Sequence, residues 1–144
     1  MYFMDTGLAA HLTRWGSPDV MESGAMAGAF FETYVVTEIY KSFINTGKTP
    51  PLFYYRDNNA KEIDLIIWQN GTLFPVEIKK SSAPSGAGKN FNALSPVTDG
   101  SNFDEMSQHL KMKIGTGSVI CLTNNLRPAQ HSQGDNWLVP VWLV

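Results

Sequence analysis

EIDLIIWQNGTLFPVEIKK, residues 62–80, decides the fold. Two apolar, β-branched runs flank Asn70-Gly71. Both central positions of a type I′ turn need φ > 0, and Asn-Gly supplies them with little strain. The sequence therefore predicts antiparallel strands Glu62–Gln69 and Thr72–Lys80. A two-residue turn fixes the register, placing Asp64 opposite Glu77 and Glu62 opposite Lys79.

Strand side chains alternate between faces. Ile63, Leu65, Ile67, Phe74, Val76 and Ile78 form an expected core face. The other face carries Glu62, Asp64, Glu77 and Lys79 near one end, with Ile66, Trp68, Leu73 and Pro75 nearer the turn. Opposed residues have Cβ atoms roughly 5 Å apart, so two acids there repel unless something offsets them. A divalent cation is one offset and a neighbouring lysine a weaker one. The plainer reading is that these carboxylates face water, with Glu62 and Lys79 a surface ion pair of small value.

The chain has 144 residues, 43% hydrophobic and 17% charged, which suits one folded domain over residues 1–144. The longest apolar run, Trp137–Val144, is far short of a membrane span, so no membrane partner is expected. MYFMDTGL has no basic stretch leading into an apolar one, so no secretory leader is expected. The single cysteine, Cys121, sits in VICL and reads as a small buried hydrophobe. A reducing, cytoplasmic setting follows. A net charge of −2 does not advertise nucleic-acid binding, although a local basic groove is compatible with it.

Residues 1–25 read as a lead-in segment. Tyr2-Phe3-Met4 is extended, Asp5 or Thr6 caps a helix from Gly7 to about Arg14, and Gly16–Gly28 is a loop. A helix follows over about Met26–Ile44, with Phe31, Val35, Ile39 and Phe43 at four-residue spacing and Thr33, Thr37 and Lys41 as its polar stripe. Glu32 lies off that stripe, on the packed side. It is either a rim residue reaching water or a functional carboxylate that needs a partner. Leu52–Arg56 is a strand and Asp57-Asn58-Asn59 a turn.

Residues 81–101 form a long Ser/Gly/Pro-rich loop, with a helical piece near Lys89–Leu94. Its Gly86-Ala87-Gly88-Lys89 is not a phosphate loop, because Ala83 and Asn90 stand where that motif needs Gly and Ser or Thr. Asn102 and Glu105 resemble a capping box, opening a helix to about Ile114. Val119–Thr123 reads as a strand buried on both faces. Asn124–Asn136 is a polar loop, and Trp137–Val144 a strand broken by Pro140, as at a sheet edge. His11, His109 and His131 have no metal-ligand spacing. The sequon at Asn70-Gly71-Thr72 is better explained by the turn. The expected class is α/β (α+β), a mixed sheet with a three-strand antiparallel meander flanked by helices.

Asp64 followed by Glu77-Ile78-Lys79 resembles the motif of the PD-(D/E)XK nuclease superfamily, with Ile63 where the founding pattern has proline. The blocks YFMDTGLAAHL (2–12), FFETYVVTEI (30–39), YYR (54–56), EIDLII (62–67), VEIKKS (76–81) and VPVWLV (139–144) resemble the C-terminal domain of unknown function of prokaryotic AAA+-type ATPases. The resemblance implies a restriction-endonuclease-like core. It implies that Asp64, Glu77 and the Ile78 carbonyl ligate Mg²⁺ (or Mn²⁺), whose hardness suits oxygen donors. Glu32 would be a further ligand or orient water. Lys79 would stabilise charge on the phosphate rather than accept a proton, since an accepting lysine needs a lowered pKa.

The implied reaction is metal-assisted phosphodiester hydrolysis with nucleic acid as substrate. The resemblance makes the chain either the C-terminal piece of a longer ATPase, with that module upstream in cis as partner, or a stand-alone copy. No Walker motif is present in this chain. The alternative is a non-catalytic module that docks nucleic acid or protein for that ATPase. A third reading is a homo-oligomer joined through exposed aromatics.

Overall fold

The computed structural model describes residues 2–94, 112–129 and 135–144. The helix expected over Asn102–Ile114 lies mostly outside these; its last two residues, Lys113–Ile114, are a short strand instead.

The Asn-Gly turn forms as expected, with φ of 51° at Asn70 and 75° at Gly71. It joins β2 (Glu62–Gln69) to β3 (Thr72–Lys79), and β1 (Leu52–Arg56) pairs antiparallel with β2. Beyond β3 lie β4 (Lys113–Ile114), β5 (Ser118–Cys121), β6 (Arg127–Pro128) and β7 (Trp137–Pro140). The sheet runs β1-β2-β3-β5-β7-β6, with β4 alongside the start of β3. β3, β5 and β7 are mutually parallel and β6 is antiparallel to β7. The chain is thus a mixed α/β fold on a seven-stranded mixed sheet.

Two details of the sheet differ from the sequence reading. Phe53 pairs with Ile66 but Tyr55 pairs with Ile63, so Asp64 and Leu65 of β2 together oppose Tyr54 alone. This β-bulge interrupts the alternation of faces. Ile63 packs with Ile66 in one core, while Leu65 and Ile67 pack in the other. The final strand ends at Pro140, and Val141–Leu143 forms a 3₁₀ turn. β7 is not an edge, because the two residues of β6 cover its outer side.

Both faces of the sheet are buried. On one lies α3 (Ala27–Asn45), whose Val35, Val36 and Ile39 pack on Leu65, Val76, Ile78 and Ile120. Thr37, expected on the polar stripe, is 2% exposed; its hydroxyl donates to the Tyr34 carbonyl at 2.9 Å, which makes burial tolerable.

The other face is covered by the segment after β3. Ala87, Phe91 and Leu94 pack there against Ile63, Ile66, Leu73, Val119, Cys121 and Leu138. Phe91–Leu94 is a 3₁₀ turn, close to the helical piece expected. The described part of the long loop is therefore a layer of the core. Val119 and Cys121 have no exposure at all, as a doubly buried strand requires.

Ahead of α3, α1 (Thr6–Leu12) is capped by Asp5, whose Oδ1 accepts from the Leu8 amide at 2.9 Å. The stretch read as a loop holds α2 (Pro18–Ser23), started by a Ser17 cap and a proline in its first turn. Ser-Pro-Asp is a helix-start signal that the surrounding glycines obscured. Trp15 packs edge-on to Phe30, ring centroids 6.2 Å apart, and ties this segment to α3. No helix among the described residues is long and apolar enough to cross a membrane.

The cover over the second face depends on close backbone approach at Gly117. A Cβ there would meet Asn136 Oδ1 at 2.3 Å and the Phe91 ring at 2.4 Å. Gly117→Ala is expected to cost about 1–3 kcal/mol through overpacking. Urea unfolding of the two proteins checks this.

Candidate functional site

The acids named from the sequence gather at the end of the hairpin away from its turn, but they arrive by different routes. Ladder pairing between β2 and β3 holds the expected register from Gln69↔Thr72 to Leu65↔Val76. At the bulge it gives way: the Ile78 amide donates to Oδ2 of Asp64 at 2.7 Å. A side chain thus takes the place of a strand carbonyl, and Asp64 is held against the backbone of β3 between Glu77 and Lys79.

Glu77 points to the face covered by residues 81–94 and is 7% exposed. Its Oε2 accepts from the Gly88 amide at 2.7 Å, and its Oε1 lies 3.1 Å from Lys79 Nζ. Gly88 has a φ of 73°, a left-handed conformation that glycine adopts freely. Lys79, two residues on along the same strand face, is about half exposed at its side chain. The surface pair considered from the sequence, Glu62 with Lys79, does not form. Glu62 instead pairs with Arg56, its neighbour across β1, at 3.0 Å.

Glu32 enters from α3, which packs on the opposite face. It is half-buried, and its Oε1 accepts from the Tyr2 hydroxyl at 2.8 Å. Nearby, Lys80 Nζ donates to the Glu22 carbonyl at 2.9 Å, tying the end of α2 to the end of β3.

The electrostatics couple these groups. Burial pushes the Asp64 carboxyl above its ordinary value. The Ile78 amide and the Lys79 charge oppose that shift, while the charges of Glu32 and Glu77 reinforce it. For Lys79, partial burial pulls the ammonium down, but the hydrogen bond it donates to Glu77 and the charges of Glu77, Asp64 and Glu32 outweigh it, leaving a net upward shift. Lys79 is therefore held as a cation, suited to stabilising negative charge and unsuited to accepting a proton. Among the described residues, no cluster of three or more His, Cys, Asp or Glu side chains is close enough to hold a metal ion. His11 stands alone at the end of α1; His109 and His131 lie outside the described residues.

Residues 27–144 match the family model "Domain of unknown function (DUF4143)". The chain belongs to this family. The match begins at α3, so it takes in Glu32, Asp64, Glu77, Ile78 and Lys79 and leaves out Tyr2, α1 and α2. No curated protein and no solved structure matches the chain.

Three participants have no site role legible in the sequence. Gly88 was read only as part of a failed phosphate-loop motif. Tyr2 and Lys80 fall within the blocks quoted for the resemblance but carry no sign of a site role, because each acts across a long stretch of chain.

Two outcomes are expected. Glu77→Ala leaves the buried Gly88 amide unpaired and loses about 1–3 kcal/mol, whereas Glu77→Gln keeps an acceptor and loses less; chemical unfolding of both variants separates them. Asp64 has a raised folded pKa, so its contribution is most favourable below the unfolded value of about 4 and is lost as pH rises through the folded one. Asp64→Asn should accordingly gain stability relative to the parent at pH 7, with the gain shrinking towards pH 4. Urea midpoints at the two pH values decide this.

Proposed function

We propose that this domain is a metal-dependent nuclease-like module that hydrolyses phosphodiester bonds of nucleic acid, built on a restriction-endonuclease-like core and working with an AAA+-type ATPase. The observation that carries the reading is the coupling of Asp64 to Lys79, Glu32 and Glu77 at one end of the sheet. The Lys79 ammonium pairs with Glu77, and the charges of Asp64 and Glu32 act on it as well, an excess of negative charge that a divalent cation would offset. The antiparallel β1–β2–β3 meander followed by parallel β5 and β7 supports the core assignment.

Asp64, Glu77 and the Ile78 carbonyl would hold the ion. Their hard oxygen donors fit Mg²⁺ or Mn²⁺ in type. Bound there, such an ion would supply a lowered pKa for its water and polarisation of a phosphate oxygen. The chain's own residues do the rest: Lys79 stabilises charge on the phosphate, and Glu32 orients the attacking water. A cytoplasmic setting is consistent with this role.

A second reading has its own support. Both oxygens of Glu77 are engaged within the chain, by Gly88 and Lys79. That suits a non-catalytic module that docks nucleic acid or protein for the same ATPase. The two readings part on activity. Plasmid nicking that requires Mg²⁺ or Mn²⁺ and falls roughly 100-fold or more in Asp64→Ala and in Lys79→Ala is the expected result. Nicking equal in parent and variants, or nucleic-acid binding without any cleavage, overturns the nuclease reading, and the second outcome favours docking.

A further inference from the structure

Tyr2 lies in the lead-in ahead of α1, outside the stretch covered by the family match. Its hydroxyl nevertheless donates to Oε1 of Glu32, thirty residues away along the chain. Burial first, then that hydrogen bond and the charges of Glu32, Asp64 and Tyr54, push the phenol's ionisation well above its usual range. A tyrosine hydroxyl, with an ordinary pKa of about 10, is a hydrogen-bond donor at neutral pH. The lead-in that carries it is fixed by further ties: the Asp5 cap of α1, the Trp15–Phe30 ring packing and the Lys80–Glu22 hydrogen bond.

A glutamate on a helix has several rotatable bonds, and a fixed donor on one oxygen selects among its rotamers. The charge of Glu32 bears on both Asp64 and Lys79, so where its carboxylate stands matters to the whole cluster. We propose that Tyr2 is a positioning residue of the acidic site, its hydroxyl fixing the Glu32 carboxylate beside Asp64 and Lys79. The role of Glu32 in handling a cation or its water rests on the nuclease-like reading. The placement of Glu32 by Tyr2 does not.

The test uses the full chain, Tyr2→Phe, and Mn²⁺ alone as probe. Crystal structures of parent and variant locate the Glu32 carboxylate, and electron paramagnetic resonance of free Mn²⁺ gives the affinity. The expected result is a displaced or disordered Glu32 in Tyr2→Phe, a Mn²⁺ dissociation constant raised roughly tenfold, and no further loss when Glu32→Gln is added. A Glu32 that keeps its place in Tyr2→Phe overturns the inference. Mn²⁺ binding by the parent that is undiminished in a variant whose Glu32 has moved supports the placement by Tyr2 and overturns only the cation-handling role of Glu32. If the parent binds no Mn²⁺, the metal-dependent reading fails, and displacement of Glu32 by itself then decides whether Tyr2 positions it.

Discussion

The hydrogen bond from the Ile78 amide to Asp64 is the constraint on which the rest of the site hangs. Asp64 sits in the bulge where β2 carries one residue more than β1, and the β2–β3 ladder ends beside it at Leu65↔Val76, so the Ile78 amide of β3 is satisfied by a side chain. A buried amide without an acceptor is costly, so the bulge and the acid at position 64 support one another. The same bulge turns Ile63 and Leu65 to opposite cores. One local irregularity thus places the acid and closes both hydrophobic layers around it.

Glu77 plays a comparable part on the other side of the sheet. The segment over that face contains few large apolar residues, mainly Phe91 and Leu94, and much of it is glycine, serine and proline. It is held by backbone approach at Gly88 and Gly117 and by the Glu77 carboxylate. Lys79 then balances a charge that burial has made expensive. The acid and the lysine of the motif are in this sense parts of the packing as well as candidates for chemistry.

The sequence was most legible where the pattern is local. The Asn-Gly turn, the bounds of β1 and β2, the Asp5 cap and the long α3 follow from turn chemistry, capping and periodicity. What escaped it depends on long-range geometry. A bulge shows in no two-residue period, so the face assigned to Ile63 was wrong for that reason. β6 is two residues long and is defined by its pairing with β7, which no local pattern announces. Of the site, Asp64, Glu77, Lys79 and Glu32 stood out by residue type and spacing. The Gly88 amide and the Tyr2 hydroxyl did not, since an amide has no letter of its own and Tyr2 meets Glu32 only after the lead-in has docked.

The double duty of Glu77 has a consequence for reading relatives of this domain. A relative without catalytic chemistry would still be under pressure to keep an acid on β3, because the Gly88 amide of the neighbouring layer would otherwise lose its acceptor. Survival of that acid and its lysine in a homologue therefore testifies first to an intact fold. Asp64, whose carboxyl pKa is raised by burial, is the more telling position, because an asparagine there would keep an acceptor for the Ile78 amide while giving up the charge.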